Sequence, residues 1–184
     1  IGFSGRYSDP RKQLPLLLDA LALLVRQGQP VQLELTGERQ GHSLISQALA
    51  ARGLLDHVRC HPYLQPAELA RVIQRWDLFV IPSHQEGLCI AALEAMACGV
   101  PVVSTRCGGP EDFVIPEQTG TLVPHEAAAM AAAISRICAD ASQRQKFSAG
   151  ALAWITAHAD ATEARRRFRQ HLRAVYPALL IPDL

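Results

Sequence analysis

Residues 76–111 read as a strand, a loop, a helix and a second strand, the repeating unit of a parallel α/β sheet. Leu78 to Ile81 is an unbroken apolar run closed by Pro82-Ser83, and a strand covered on both faces needs no polar alternation. Leu88 to Ala97 is built of strong helix formers. Gly99 stands where a left-handed cap is wanted, Pro101 forbids continuation, and Val102-Val103 begin the next strand. Within this unit Glu86 is followed directly by Gly87, and seven residues separate it from Glu94. In open parallel sheets ligands bind where strand ends meet helix starts, and unpaired N–H groups at a helix N-terminus favour phosphate. The acidic pair therefore lies where a phosphorylated ligand is expected.

The rest of the chain repeats the theme. Ile1 to Gly5 is a short strand candidate, and Leu14, Leu17, Leu18, Leu21 and Leu24 or Val25 mark the buried stripe of a helix. Val31 to Leu35 alternates as a strand before Thr36-Gly37-Glu38 turns away. A helix from about His42 to Arg52 turns Leu44, Ile45, Ala48 and Leu49 inward, and Gly53 caps it. His57 to His61 is a further short strand, and Pro66 to Arg75 a helix with Leu69, Val72 and Ile73 on one face. Past the opening unit come a turn at Thr105 to Asp112, a strand at Thr121 to Val123, and helices at Glu126 to Ala139, Ala141 to Ala157 and Thr162 to Val175. Strand candidates mostly separated by helices imply an α/β fold. The expectation is a doubly wound, mostly parallel sheet with helices on both faces and a helical C-terminal segment. Its pocket is expected along the carboxyl ends of the strands, from Gly5 to Lys12, Gly37-Glu38, residues 62–64, Ser83 to Cys89 and Thr105 to Glu111.

Composition excludes several classes. A chain of 184 residues with 49% hydrophobic and 19% charged residues has enough apolar material for one good core. A formal charge of +1 gives no reason to expect a nucleic-acid partner. No run approaches the roughly 18 to 20 apolar residues of a membrane span, and no signal peptide is visible, so the chain reads as soluble. The five cysteines form no CxxC pair, which disfavours a disulfide framework or zinc site and favours reduced thiols in a cytosolic protein. The sequence has no initiating Met and opens inside a strand-like stretch, an expectation that further chain precedes it.

The candidate pocket carries charge of both signs. Arg6 and Lys12 follow the first strand, and a diphosphate needs fixed positive charge, which Arg supplies as a planar fork and Lys as a compact ammonium. The bland alternative is two solvated surface charges. Arg11 is the weaker candidate beside Lys12. Glu86 and Glu94 would lie roughly 12 Å apart in a continuous helix, at about 1.5 Å per residue. They cannot share one atom, but they can each hydrogen-bond a hydroxyl at opposite ends of an extended ligand. Glu94 has Ala91, Ala92, Leu93, Ala95 and Met96 around it, which leaves almost no polar face and predicts a partnered, buried acid rather than an exposed one. Adjacent Gly108 and Gly109 admit a ligand to the backbone or simply make a turn. His84 reads as an exposed loop histidine. No Ser, His and Asp grouping forms a triad, and no metal-ligand spacing stands out.

Pro82-Ser83, Glu86-Gly87, Glu94-Ala95-Met96-Ala97, Gly99, Pro101-Val102-Val103, Gly108-Gly109, Glu111 and Gly120 together resemble the E-x7-E region of retaining glycosyltransferase family 4. Gly5-Arg6 with Asp9-Pro10-Arg11-Lys12, and Leu35-Thr36-Gly37, resemble its other donor-site elements, and the likeness runs from Ile1 to about Ala157. The resemblance implies the carboxyl-terminal, Rossmann-like half of a GT-B fold, in residues 1–157, with residues 158–184 crossing back to an N-terminal acceptor domain. It implies that Arg6 and Lys12 hold the diphosphate with backbone N–H groups of Leu88 and Cys89, that Glu86 binds the transferred sugar, and that Glu94 binds the ribose. Gly5, Gly37 and Gly87 complete the donor site, and the backbone near Tyr63-Leu64 meets the base. Transfer from a nucleotide sugar with retention, to a sugar or lipid-linked acceptor and without metal or other cofactor, is the activity it implies, and Arg6, Lys12 and Glu86 would be the groups nearest the chemistry. Other readings are a nucleotide-sugar-binding module and half of a GT-B epimerase or phosphorylase. Three positions depart from the family pattern: Pro62 where Gly is usual, Leu88-Cys89 in place of Phe-Gly, and Glu38-Arg39 after Gly37. The final helix carries Arg165, Arg166, Arg167, Arg169 and Arg173 beside Ala164, Phe168, Leu172 and Val175. That pattern is a basic solvated face over an apolar stripe, or a peripheral membrane contact at the inner face of a membrane.

Overall fold

The computed structural model describes residues 1–37, 41–159 and 161–176, and the side chains of 41–44 fall outside that description. Glu38-Arg39, the inward placement of Leu44 and the last eight positions of the C-terminal segment therefore lie outside the described residues.

Six strands, β1 (Gly2–Ser4), β2 (Leu33–Thr36), β3 (Val58–Cys60), β4 (Phe79–Ile81), β5 (Val102–Thr105) and β6 (Gly120–Val123), form one sheet in the order β3-β2-β1-β4-β5-β6. Every pairing is parallel. This is the doubly wound order, in which the winding reverses between β1 and β4, and the crevice above that reversal is where such sheets bind ligands. Each expected strand is present within one or two residues, as are the helices α1 (Leu14–Arg26), α2 (Gly41–Ala50), α3 (Pro66–Ile73), α4 (Ile90–Ala97), α5 (Ala127–Ala139), α6 (Ala141–His158) and α7 (Ala161–Val175).

The helices cover both faces, and successive strand residues feed alternate cores. Leu78, Val80 and Val103 join the leucine stripe of α1, Ile45 and Leu49 of α2, and Met130, Ile134 and Ile137 of α5. Phe79, Ile81 and Val102 instead join Val72 and Ile73 of α3, Ala92, Ala95 and Met96 of α4, and Ala151 of α6. That alternation explains why Phe79–Ile81 has no polar residue at all, since both faces are dry.

Two boundaries differ from the sequence expectation for a physical reason. α4 begins at Ile90 rather than Leu88, because Cys89 adopts a left-handed conformation with φ 56° and turns the chain into the helix. A short 3-10 turn at Pro10–Lys12 precedes α1; Asp9 caps it by accepting from the Arg11 N–H, and Gln13 at φ 47° ends it. This turn fixes where Lys12 starts its reach.

Candidate functional site

The loops after β1 and β4 meet above the winding reversal. Lys12 donates its ammonium to both carboxylate oxygens of Glu86, at 2.7 Å and 3.0 Å. The Glu86 side chain is 8% exposed and that of Lys12 23%, so the pair sits in partial shelter from water. Ser83 Oγ donates to Glu86 Oε1 at 2.6 Å, and the Ser83 carbonyl accepts from the buried Thr105 hydroxyl at 2.5 Å. The His84 N–H donates to the Arg11 carbonyl, which ties the Glu86 loop to the turn that carries Lys12. The His84 ring stacks on His125, centroids 4.0 Å apart, and so also links that loop to the turn after β6.

Arg6 does not join this pair. Its guanidinium lies 3.2 Å from Asp9, whose carboxylate also holds Arg11 at 2.8 Å, and the Arg6 side chain is 68% exposed. The Arg11 guanidinium and N–H, with Arg6 beside them, hold the Asp9 carboxyl down to about 2.

Gly108 and Gly109 have a use that sequence spacing left open. A Cβ on Gly109 would lie 1.5 Å from the Gly87 carbonyl oxygen, and one on Gly108, at φ 102°, would lie 2.9 Å from the Glu86 carbonyl oxygen. The chain's own 86–88 loop occupies the approach, and Glu86 bonds across it, N–H to the Cys107 carbonyl and carbonyl to the Gly109 N–H. The turn after β5 is thus a brace for Glu86. Gly87 itself has open space around it, and Leu88 is exposed beside it. Burial pushes the Cys89 thiol up to about 12, with the Glu86 charge adding to the rise.

A second region opens between β2, α3 and α4. Thr36, Gly37, Tyr63, Leu64, Leu69, Ile73, Glu94, Ala97 and Cys98 are among the residues lining a cleft of about 390 Å³. Its walls are mostly apolar, and among the described residues Glu94 is the acid in it. Here the sequence expectation of a buried, partnered Glu94 is corrected: Glu94 is exposed, and among the described residues it has no ion-pair partner. Its neighbours Ala92, Ala95 and Met96 point into the core, and the face formed by Glu94, Ala97 and Cys98 lines the cleft instead. The two regions touch through glycine. Gly37, at φ 100°, sits so close to β1 that a Cβ would come within 2.8 Å of the Gly5 nitrogen, and a Cβ on Gly5 would lie 3.8 Å from the Lys12 side chain.

Gly5, Gly37, Tyr63, Leu64 and Glu94 therefore share one cleft and its floor, and Lys12, Glu86, Gly87, Leu88 and Cys89 share the adjoining rim. Ser83 and Thr105 fall within the stretches expected to build the pocket, but the sequence gives neither a role, and nothing local signals that the Ser83 hydroxyl bends back to Glu86. Among the described residues no group of three or more His, Cys, Asp and Glu side chains could hold a metal ion, and no helix is long and apolar enough to cross a membrane.

Comparison with known proteins supports the family and the fold. The profile of the family described as Glycosyl transferases group 1 matches residues 1–154. A D-inositol 3-phosphate glycosyltransferase of Segniliparus rotundus is 37% identical over 127 residues, covering 67% of this chain and 28% of that protein. Among solved structures, sucrose-phosphate synthase from Thermosynechococcus elongatus superposes with a TM-score of 0.85 at 29% identity, over 97% of this chain and 46% of its own. HepE from Anabaena, solved in complex with UDP, gives 0.82 at 26% identity, over 94% of this chain and 48% of its own. The chain thus spans less than half the length of each of these relatives.

Proposed function

Because the chain belongs to the group 1 glycosyl transferases, we propose that it is the donor-binding domain of a retaining enzyme that moves a sugar from a nucleotide diphosphate sugar to an acceptor such as a growing glycan or lipid-linked sugar. The observation that carries this reading is the pairing of one apolar cleft, lined in part by Glu94, with an adjoining rim that holds Lys12 and Glu86 above the winding reversal. The cleft suits a base stacked beside Tyr63 and Leu64, with a ribose hydroxyl on Glu94. The rim suits the diphosphate and sugar.

The roles follow from what each group has left to give. Lys12 uses two N–H bonds on Glu86, and an ammonium has three, so the third is free for a phosphate oxygen without breaking the pair. Backbone N–H groups at Leu88, Cys89 and the start of α4 add donors that favour a leaving diphosphate. Arg6 is exposed on a flexible stem and swings from Asp9 to the phosphates when a donor enters. Glu86, the first acid of the E-x7-E spacing, meets hydroxyls of the transferred sugar. The similarity to HepE, which binds UDP, supports a uridine nucleotide as the first to try.

The acceptor belongs to the N-terminal domain of the same natural chain. In this proposal residues 158–184 cross back toward that domain, the basic face of α7 rests near the inner face of a membrane, and the reaction runs in the cytoplasm without metal. A thermal-shift series with UDP-, GDP- and ADP-sugars tests donor binding directly. The matching donor, at about 100 times its Kd, raises stability by about 2.7 kcal/mol; no shift with any of them overturns the reading.

A further inference from the structure

The two oxygens of Glu86 are not equivalent. Oε1 accepts from Lys12 at 2.7 Å and from Ser83 Oγ at 2.6 Å, whereas Oε2 accepts from Lys12 alone at 3.0 Å. A carboxylate oxygen has two lone pairs. Oε1 is therefore filled, and Oε2 keeps one acceptor site free. Ser83 is itself buried and tied down: it is 1% exposed, and its carbonyl accepts from the Thr105 hydroxyl at 2.5 Å, which also reaches the Ile81 carbonyl at 3.3 Å. Thr105 is fully buried on β5. A carboxylate held only by Lys12, a cation on a long flexible stem, would be free to rotate about its terminal torsion, which is broad for glutamate. The hydroxyl from the strand end removes that freedom.

We propose that Ser83, seated by Thr105, is a positioning residue that sets which oxygen of Glu86 faces the donor, and thereby lets the domain distinguish a nucleotide sugar from the bare nucleoside diphosphate. This rests on the assignment of Glu86 to the sugar made above. Ser83 acts through Glu86 and Thr105 acts through Ser83, so their effects appear in the sugar increment, the ratio of the Kd for the diphosphate to that for the nucleotide sugar. A merely structural role would weaken both ligands together.

Calorimetry on the 184-residue chain with the best nucleotide sugar of the thermal-shift series and its own nucleoside diphosphate decides the matter, with a melting temperature recorded for each variant. Ser83→Ala is expected to lower the sugar increment by about tenfold, the weaker end of the range for a hydrogen bond to a charged group, while the diphosphate Kd stays close to wild type. Thr105→Val, which keeps the shape of the side chain, is expected to lower it in the same sense by less. Added to Glu86→Ala, Ser83→Ala is expected to change nothing more. If Glu86→Ala loses the increment and Ser83→Ala keeps it, the positioning role is overturned while the Glu86 assignment stands. Equal losses for both ligands in Ser83→Ala overturn it as well. If Glu86→Ala itself keeps the increment, the Glu86 assignment fails and this inference falls with it.

Discussion

Glu86 and Glu94 belong to one short stretch, yet the structure treats them oppositely. Glu86 is nearly buried and already paired, its carboxylate with Lys12 and Ser83 and its backbone with the turn after β5, with one acceptor site left on Oε2. Glu94 stands exposed in the lining of an apolar cleft without an ion-pair partner among the described residues. A buried carboxylate needs its partners in place before a ligand arrives, since an unpaired one would be strongly disfavoured. An exposed carboxylate is kept content by water and gives it up on binding. The first acid is thus built into the fold, and the second stays open to solvent in the cleft. Substitutions should separate them: those at Glu86 are felt by stability and binding together, those at Glu94 by binding alone.

Lys12→Ala is the most direct way to break the built-in side of that contrast. It leaves the Glu86 carboxylate beside Ser83 with no counter-charge. Breaking a fully buried pair costs about 3–5 kcal/mol, and because Lys12 is 23% exposed a loss nearer 2–3 kcal/mol is expected, read by urea denaturation. Affinity for a nucleoside diphosphate should fall by ~1.5–3 kcal/mol as well. An unchanged denaturation midpoint would show that the pair is a surface contact after all. Gly109→Ala attacks the brace from the other side. The new Cβ collides with the Gly87 carbonyl, and since the obstacle is backbone, about 1–3 kcal/mol of overpacking is expected, with the 86–88 loop displaced and its amide shifts changed by NMR.

Glu94→Ala sharpens the contrast by its silence. Stability should stay within about 0.5 kcal/mol, as for surface positions without special contacts, while affinity for the nucleoside diphosphate drops by about 1.5 kcal/mol. Calorimetry beside a melting curve on the same variant checks both halves. A variant that melts earlier but binds normally would return Glu94 to an ordinary structural role.

What the sequence made legible follows the same division. Strand and helix signals are local, so the apolar run at Leu78–Ile81, the stop at Gly99 and Pro101 and the leucine stripe of α1 all appeared as expected. Site geometry depends on contacts that no local pattern encodes. Lys12 and Glu86 are 74 residues apart, and only the strand order brings them together; their shared ion pair was not foreseen, although each was chosen for its charge. Glu94 was misjudged as buried because its neighbours are apolar, a pattern that registers which residues flank it and not the open cleft on its own face. The Gly108-Gly109 pair showed that something approaches closely, but not that the visitor is the chain's own loop. Leu69, Ile73, Ala97 and Cys98 line the cleft through ordinary helical spacing, and would be inferred only once α3 and α4 were known to face each other across it.

The smallest expected effect concerns a charged cluster at this edge that resembles neither acid. Asp9 is gripped by Arg11 and Arg6, whose exposed side chains leave its own only 9% exposed, and its carboxyl is held down to about 2 from an ordinary value near 3.9. A carboxyl with a lowered folded value stabilises the fold above its unfolded value and loses that contribution as pH falls through the folded one. The window is therefore about pH 4 down to 2. Because the side chains of both arginines are well exposed, solvent and salt screen the interaction, and the change in overall stability across the window should be slight. Its clear sign is local: a carboxyl-carbon NMR titration of Asp9 with a midpoint near 2, and release of the Arg6 and Arg11 side-chain signals over the same range. A midpoint near 4 would mean that the clamp does not hold in solution, and that Arg6 is free to reach a diphosphate without first leaving a partner. A low midpoint that rises when nucleoside diphosphate is added would instead show Arg6 being drawn from Asp9 to the ligand, the exchange that a group parked at the rim, rather than built into the site, should make.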